Sequence, residues 1–257
     1  MANPKGAALG DPFELVGDSP LGVICVHGFT GTPYEMRYLG EAIARAGHSV
    51  MGLRLPGHGT RPDELARTPW RAWADAVSNA VDAMRRQRPR VAIVGQSLGG
   101  LLALFTATER DDLTAIASLG APLWLEGLSS YVAKWAVAGK LRRIPMLPKL
   151  GGPDVRDRRS KRENPCYRVF PTAAVAELAH VMDEVRGRLA RVTTPLLVMH
   201  GARDHTAPVE CAPVIAREAH AERMRVLPRS YHLIAIDLER EIVASEVTAF
   251  LRRHATA

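Results

Sequence analysis

The sequence predicts an α/β protein: a mostly parallel sheet with helices on both faces and an inserted helical segment. Three observations predict it. Short apolar runs alternate with stretches of helical periodicity over both ends of the chain, the rhythm of a parallel sheet with crossover helices. Gly95-Gln96-Ser97-Leu98-Gly99 joins one apolar run to a helical stretch. The rhythm then breaks between Ala121 and Thr194, far more chain than one crossover helix requires.

Pro12 to Val16 reads as an opening edge strand and Gly17-Asp18-Ser19-Pro20 as a turn. Leu21 to Val26 is a central strand. Pro33 to Ala46 is a helix, with Thr32 at the N-cap, Pro33 at the first position and Gly47 ending it. Ser49 to Leu53 is the next strand, and Pro56-Gly57-His58-Gly59 a loop. Trp70 to Arg88 is a helix because Trp73, Val77, Ala80, Val81 and Met84 share one face. Val91 to Val94 and Leu113 to Leu119 are strands, separated by a helix that starts at Leu98. Parallel strands require crossovers, which are normally right-handed.

The interruption carries two helical signatures. Leu125, Leu128, Val132 and Trp135 fall at helical spacing, as do Leu178, Val181, Met182, Val185 and Leu189. Between them Pro145, Pro148, Gly151, Gly152 and Pro153 break regular structure. The charged run Arg156 to Arg162 is expected to be a solvated, mobile loop. Residues 122–192 are therefore expected to form a cap, or lid, on a core made of residues 1–121 and 193–257. Beyond the cap, Leu196 to Met199 is a strand, a helix follows from Pro208, Arg223 to Leu227 is a strand, and Leu238 to Arg253 is the last helix.

A chain of 257 residues with 47% hydrophobic content fits one α/β domain with an insertion. The net charge of +7 comes mostly from Arg scattered on expected helices, a solvated surface. No nucleic-acid motif accompanies it, so nucleic acid is not an expected partner. Cys25, Cys166 and Cys211 form no C-x-x-C pair, which suggests neither a zinc site nor a redox pair. Met1 to Asp11 has no apolar signal core, and no run approaches the ~18 apolar residues of a membrane span. The expectation is a soluble cytoplasmic protein without stable membrane insertion, and without metal or cofactor.

The chemistry is carried by Gly95-Gln96-Ser97-Leu98-Gly99. A G-x-S-x-G between a buried strand and a helix is a nucleophile elbow, a turn so sharp that the serine is strained and its hydroxyl is thrust outward. Downstream, Leu196-Leu197-Val198-Met199-His200-Gly201-Ala202-Arg203-Asp204 is a strand ending in a turn that carries an acid. Ser230-Tyr231-His232 is a loop histidine before the last helix. The order Ser, Asp, His is that of the α/β-hydrolases. Upstream, the strand ending at Val26 leads into His27-Gly28-Phe29-Thr30-Gly31, a position that suits an oxyanion-hole donor.

His27, His58, His200 and His205 compete with His232 for the role of base. None of them sits in the loop before the terminal helix, where this order puts the base. Asp237 competes with Asp204, but its place near the start of the final helix is that of a capping acid.

In these pieces the chain resembles the bacterial α/β-hydrolase carboxylesterases and monoacylglycerol lipases. The resemblance rests on His27 to Gly31, Pro56-Gly57-His58-Gly59, Gly95 to Gly100, Ala121-Pro122 and Ser230-Tyr231-His232, and spans about residues 12 to 254. The start of the segment Leu123 to Arg191 departs from the family pattern. The resemblance implies a Ser97–Asp204–His232 triad, with the backbone N–H groups of Phe29 and Leu98 as oxyanion hole. It implies a serine hydrolase of short- to medium-chain carboxylic esters, monoacylglycerols among them, working through an acyl-enzyme. The same triad also serves perhydrolases and carbon–carbon bond hydrolases of this fold, and a non-catalytic receptor can be built on the same scaffold. Trp124, Leu128, Trp135 and Met182 are the cap residues expected to line the acyl pocket. The expected partner is a small-molecule or lipid ester.

Overall fold

The computed structural model describes residues 9–255; the side chains of Gly127 and Leu128 lie outside the described residues, so the expectation for Leu128 does too. In chain order the elements are β1 (Phe13–Leu15), β2 (Leu21–Val26), α1 (Tyr34–Arg45), β3 (Ser49–Leu53), α2 (Pro62–Ala66), α3 (Trp70–Arg85), β4 (Arg90–Gln96), α4 (Leu98–Glu109) and β5 (Ala115–Leu119). Then come α5 (Gly127–Val137), β6 (Met146–Pro148), α6 (Arg158–Glu163), β7 (Val169–Pro171) and α7 (Thr172–Arg186). β8 (Leu196–Gly201), α8 (Cys211–Glu218), β9 (Arg223–Leu227) and α9 (Arg240–Ala255) complete the chain.

Seven strands form one sheet in the order β1-β3-β2-β4-β5-β8-β9. β1 is antiparallel to β3, and every other pairing in the sheet is parallel. The continuous apolar runs are explained by burial on both faces. Along β4, Val91 and Ile93 join Ile24, Ile116 and Val198 in a core under α3, α4 and α7. The alternate residues Ala92 and Val94 join Val23, Ala117 and Met199 in a second core under α1 and α9. At roughly 1.5–3 kcal/mol per fully buried large apolar side chain, these two layers dominate the stabilisation.

Between β5 and β8 the chain builds α5 and α7, which pack on each other, and a two-stranded antiparallel sheet of β6 and β7. α7 also packs on α4, and its Ala174, Val181, Met182 and Val185 are buried.

Three local expectations are corrected. Thr32 does not cap α1: its Oγ1 is buried without a hydrogen-bond partner among the described residues, and only its carbonyl receives Glu35 N–H, at 3.1 Å. The run Arg156 to Arg162 is solvated, its basic side chains exposed, but it is not a loop: Arg158 onward forms α6. Asp157 Oδ1 accepts Ser160 N–H at 2.7 Å and caps α6, while Ser160 Oγ donates to Ile236 O at 2.8 Å. Asp237 does not cap α9. Its buried carboxylate accepts Arg156, Asp157 and Leu238 N–H on Oδ1 and Tyr231 N–H on Oδ2.

Candidate active site

The carboxyl ends of β2, β4 and β8 bring the expected site residues together. Ser97 follows β4 with φ 56° and ψ −115°, a left-handed conformation rare for a residue with a side chain. Two glycines permit the turn. A Cβ on Gly95 would run into Gly99 O, and one on Gly99 into Val26 O. Ser97 N–H is held at 2.7 Å by Leu119 O on β5. The strain is local and the surrounding sheet over-determines it.

His232 Nε2 lies 2.8 Å from Ser97 Oγ, and His232 Nδ1 lies 2.7 Å from Asp204 Oδ2. The three residues form one hydrogen-bonded line although 135 residues separate Ser97 from His232. Asp204 Oδ1 accepts the N–H groups of Thr206 and Ala207, each at 2.8 Å. Its Oδ2 also receives His200 Nε2 at 3.0 Å. Burial alone pushes the Asp204 pKa up, but the His232 charge and the hydrogen bonds from His200 and His232 outweigh it and hold the carboxyl well below its usual range. Burial pulls the His232 pKa down, while the charges of Asp204, Asp154 and Glu35 and the Asp204 hydrogen bond raise it above the ordinary imidazole value.

The loop carrying His232 is clamped on all sides. Gln96, beside the nucleophile, donates to His232 O at 2.9 Å and accepts Ala235 N–H at 3.3 Å. Glu239 accepts Arg229 N–H and Ser230 Oγ–H, and Asp237 holds Tyr231 N–H at 2.7 Å. Leu233 N–H reaches Asp154 O, in the segment between β5 and β8.

Apart from His200, which shares Asp204 Oδ2, the competing histidines are engaged elsewhere. His27 Nδ1 lies 2.9 Å from Gly28 O and its Nε2 accepts Leu55 N–H at 3.1 Å; burial draws its pKa down to about 4. His58 Nδ1 lies 3.1 Å from Pro56 O, and burial holds its pKa well below 6.5. His205 is exposed and pairs with Asp154 at 3.0 Å.

Leu98 opens α4, so its N–H is among those a helix leaves without an intrahelical acceptor. Phe29 sits in the turn closed by Gly31 N–H to Gly28 O at 3.1 Å. Its ring stacks on Phe170 of β7 at 6.2 Å and meets Trp73 and His58 edge-on. Of the expected pocket residues, Met182 is buried, Trp124 is partly buried against the core, and Trp135 is 51% exposed. Ser97 and His232 are themselves only 6% and 5% exposed.

Several site neighbours are invisible to motif reading. Glu35 is a buried carboxylate whose Oε2 accepts Gly28 N–H at 3.0 Å. A signal for it exists: Glu35, Leu39 and Ile43 fall on one inward face of α1, an unusual place for a charge. His200 and Gln96 sit inside recognised motifs yet act through their side chains. Among the described residues no group of three or more His, Cys, Asp or Glu side chains could hold a metal ion. Nor, among them, is any helix long and apolar enough to cross a membrane.

A serine at a strained elbow, an imidazole in reach of it and a carboxylate behind the imidazole, all at the ends of parallel strands, define an α/β-hydrolase. The chain belongs to the serine aminopeptidase S33 family of hydrolases, which it matches over residues 19–239. It is 30% identical to the thermostable monoacylglycerol lipase of Bacillus sp. (strain H-257), over 95% of each chain. It is 24% identical to a carboxylesterase of Bacillus subtilis (strain 168), over 94% of this chain and 96% of the other. A solved structure from the study of LipS and LipT, two metagenome-derived lipolytic enzymes, superposes with a TM-score of 0.88 at 30% identity, covering 95% of this chain and 98% of that one.

Proposed function

We propose that this chain is a serine carboxylesterase that hydrolyses short- to medium-chain esters, monoacylglycerols among them, through an acyl-enzyme on Ser97. The observation that carries the reading is the continuous line Asp204–His232–Ser97, with links of 2.7 and 2.8 Å. The relatives named monoacylglycerol lipase and carboxylesterase support an ester as the substrate.

In this mechanism His232 Nε2 takes the Ser97 proton as Oγ attacks the ester carbonyl. Asp204 keeps the imidazole in the tautomer with its proton on Nδ1 and stabilises the imidazolium. The N–H groups of Phe29 and Leu98 hold the oxyanion; losing one such donor costs about 3 kcal/mol of transition-state stabilisation. The imidazolium then returns its proton to the leaving alkoxide, and the alcohol departs. Water repeats the sequence on the acyl-enzyme and releases the acid.

Residues 122–192 act as the cap on this core. Phe170 stacked on Phe29 and the low exposure of Ser97 support that role. Trp124, Trp135 and Met182 are assigned to its acyl pocket. The protein is placed in the cytoplasm, a setting that keeps its three free, buried cysteines reduced.

The test is a panel of p-nitrophenyl esters and monoacylglycerols of increasing acyl length. Wild type is expected to cleave short and medium esters, and Ser97→Ala to cleave none. Esterase activity that survives in Ser97→Ala overturns the assignment.

A further inference from the structure

Glu35 is 3% exposed and belongs to no motif of the triad or the oxyanion hole. It enters from α1 and ends directly behind the loop that carries Phe29. Its Oε2 accepts the N–H of Gly28, the residue before Phe29, at 3.0 Å. A Cβ on Gly28 would lie 3.2 Å from both Glu35 Oε2 and Ser97 Cβ. The carboxylate and the nucleophile thus flank the same backbone position. Gly31 packs so tightly on the carboxylate that any Cβ there would collide with it.

The other carboxylate oxygen is held from the segment between β5 and β8. Asn164 Nδ2 donates to Glu35 Oε1 at 3.3 Å. The amide cannot be turned round, because Asn164 Oδ1 already accepts Cys166 N–H at 3.0 Å. The same segment grips the far end of the loop. Lys149 Nζ donates to Thr30 Oγ1 and Tyr167 N–H to Thr30 O, both at 3.0 Å. Thr30 has φ 61°, a strained conformation that such contacts sustain. The loop is therefore fixed by a buried charge on one side and by the inserted segment on the other.

We propose that Glu35 is a positioning residue of the ester-cleaving site, orienting the oxyanion loop through Gly28 N–H and, through Asn164, coupling that loop to the docked state of the inserted segment. The inference rests on the hydrolase reading above. It gives the insertion a second task besides covering the acyl chain: its docking completes the oxyanion hole.

Two consequences separate positioning from packing. The first is electrostatic. His232 is faced by Asp204 after β8, by Asp154 of the inserted segment and by Glu35 of α1. Glu35 in turn is faced by Lys149, by His232 and by the buried thiol of Cys166. Burial raises the Glu35 pKa, and the Gly28 hydrogen bond, Lys149 and Asn164 work against that rise. An ionised Glu35 favours imidazolium at His232. The second is geometric. Without an acceptor on Gly28 N–H, the Phe29 amide loses its fixed aim, which lowers kcat more than it raises KM.

The experiment compares wild type with Glu35→Gln, Glu35→Ala and Asn164→Ala. His232 is titrated by NMR of its ring protons, and the kinetics of p-nitrophenyl acetate and of Ser97 labelling by a fluorophosphonate are followed. Glu35→Gln keeps an acceptor for Gly28 but carries no charge, and its NH2 faces the Asn164 NH2, so the Asn164 link is lost with it. It is expected to lower the His232 pKa, with kcat falling no further than in Asn164→Ala. Glu35→Ala is expected to cut kcat and the labelling rate about tenfold or more, with KM changed less than about threefold. Asn164→Ala should move in the same direction, less far. If Glu35→Ala fails to fold, Glu35→Gln and Asn164→Ala carry the same two readouts. The proposal is overturned if Glu35→Gln leaves the His232 titration where it was, or if the Ala variants lose only thermal stability. The titration and the labelling require no ester turnover. If both shift while wild type cleaves no ester, the ester reading falls and the positioning role stands.

Discussion

His200 Nε2 lies 3.0 Å from Asp204 Oδ2, the oxygen that His232 Nδ1 also holds, at 2.7 Å. His200 Nε2 is also 3.1 Å from Ala207 O. Both neighbours are acceptors, so this nitrogen carries the proton. His200 Nδ1 is buried without a hydrogen-bond partner among the described residues. Asp204 thus takes two imidazole N–H groups and two backbone N–H groups, and has no oxygen to spare.

That saturation predicts the outcome of Asp204→Asn. The amide oxygen can stay with Thr206 and Ala207, which turns NH2 toward His232 Nδ1. His232 is then driven into the tautomer that cannot accept the Ser97 proton. A fall in kcat of about 10⁴-fold with a folded protein is expected, checked by steady-state kinetics and circular dichroism. A variant that keeps a tenth of wild-type kcat would remove Asp204 from the triad.

Asp237→Asn has a different signature. Its Oδ1 serves three N–H donors and its Oδ2 a fourth, so an amide must present NH2 to at least one donor. Losing a hydrogen bond to a charged group costs about 1.5–3 kcal/mol, or a Tm drop of about 3–12 °C at this size. Activity should fall far less than in Asp204→Asn. A melt identical to wild type would contradict the buried role of Asp237.

The pH dependence follows from His232. In the proposed mechanism His232 must be neutral; burial lowers its pKa, but Asp204, Asp154 and Glu35 outweigh burial and raise it. The acid limb of kcat/KM is therefore expected above pH 6.5, with activity rising through it as pH increases. A limb below 6.5 in a pH–rate profile would show that burial dominates instead.

Removing the second histidine tests the acid's environment. The Asp204 pKa is depressed, so the stability it contributes is present above the unfolded value of 3.8 and lost as pH falls through the folded one. His200→Leu takes away one donor and brings the folded value closer to 3.8. The variant should be less stable at pH 7 and begin acid unfolding at a higher pH than wild type. Superimposable acid-unfolding curves would mean that His200 is packing only.

If the segment between β5 and β8 is the cap, it should govern acyl preference. Phe170→Ala and Met182→Ala are expected to change the profile of rate against acyl length more than they change acetate-ester turnover. Trp135 is half exposed, so Trp135→Ser should have the smallest effect of the three. Neutralising Arg159, whose partner Glu163 lies on the surface of α6, should leave small esters unaffected. An unchanged length profile in Phe170→Ala would remove this segment from the acyl pocket.

Much of the architecture is decided by local pattern. Leu21 to Val26 is apolar at every position but Gly22, and it is buried at every position. The elbow around Ser97 is legible because only glycine tolerates the approach of Gly95 to Gly99. The order of Ser97, Asp204 and His232 is legible because strand ends and loops recur in a fixed sequence in this fold.

Tertiary structure decided the rest, through contacts between residues far apart in the chain. Arg156 to Arg162 reads as a solvated run, yet Asp237, 81 residues beyond Arg156, anchors its start. Asp237 itself reads as a helix cap, because a helix start is a local cue and a docking partner is not. Thr32 has the identity of an N-cap, but Pro33 is already helical at φ −53° and Glu35 turns its carboxylate inward to Gly28. Periodicity records which side of a helix is apolar. It does not record which distant N–H a buried carboxylate will meet. By itself the sequence determined the seven strands of the main sheet, the elbow and the order of the three candidate site residues, because these depend on neighbours within a few positions; β6 and β7, which pair across the inserted segment, it did not. Only the folded chain determined that Glu35, Asn164 and Lys149 converge behind one loop, because burying a charge becomes favourable only once donors from separate elements surround it.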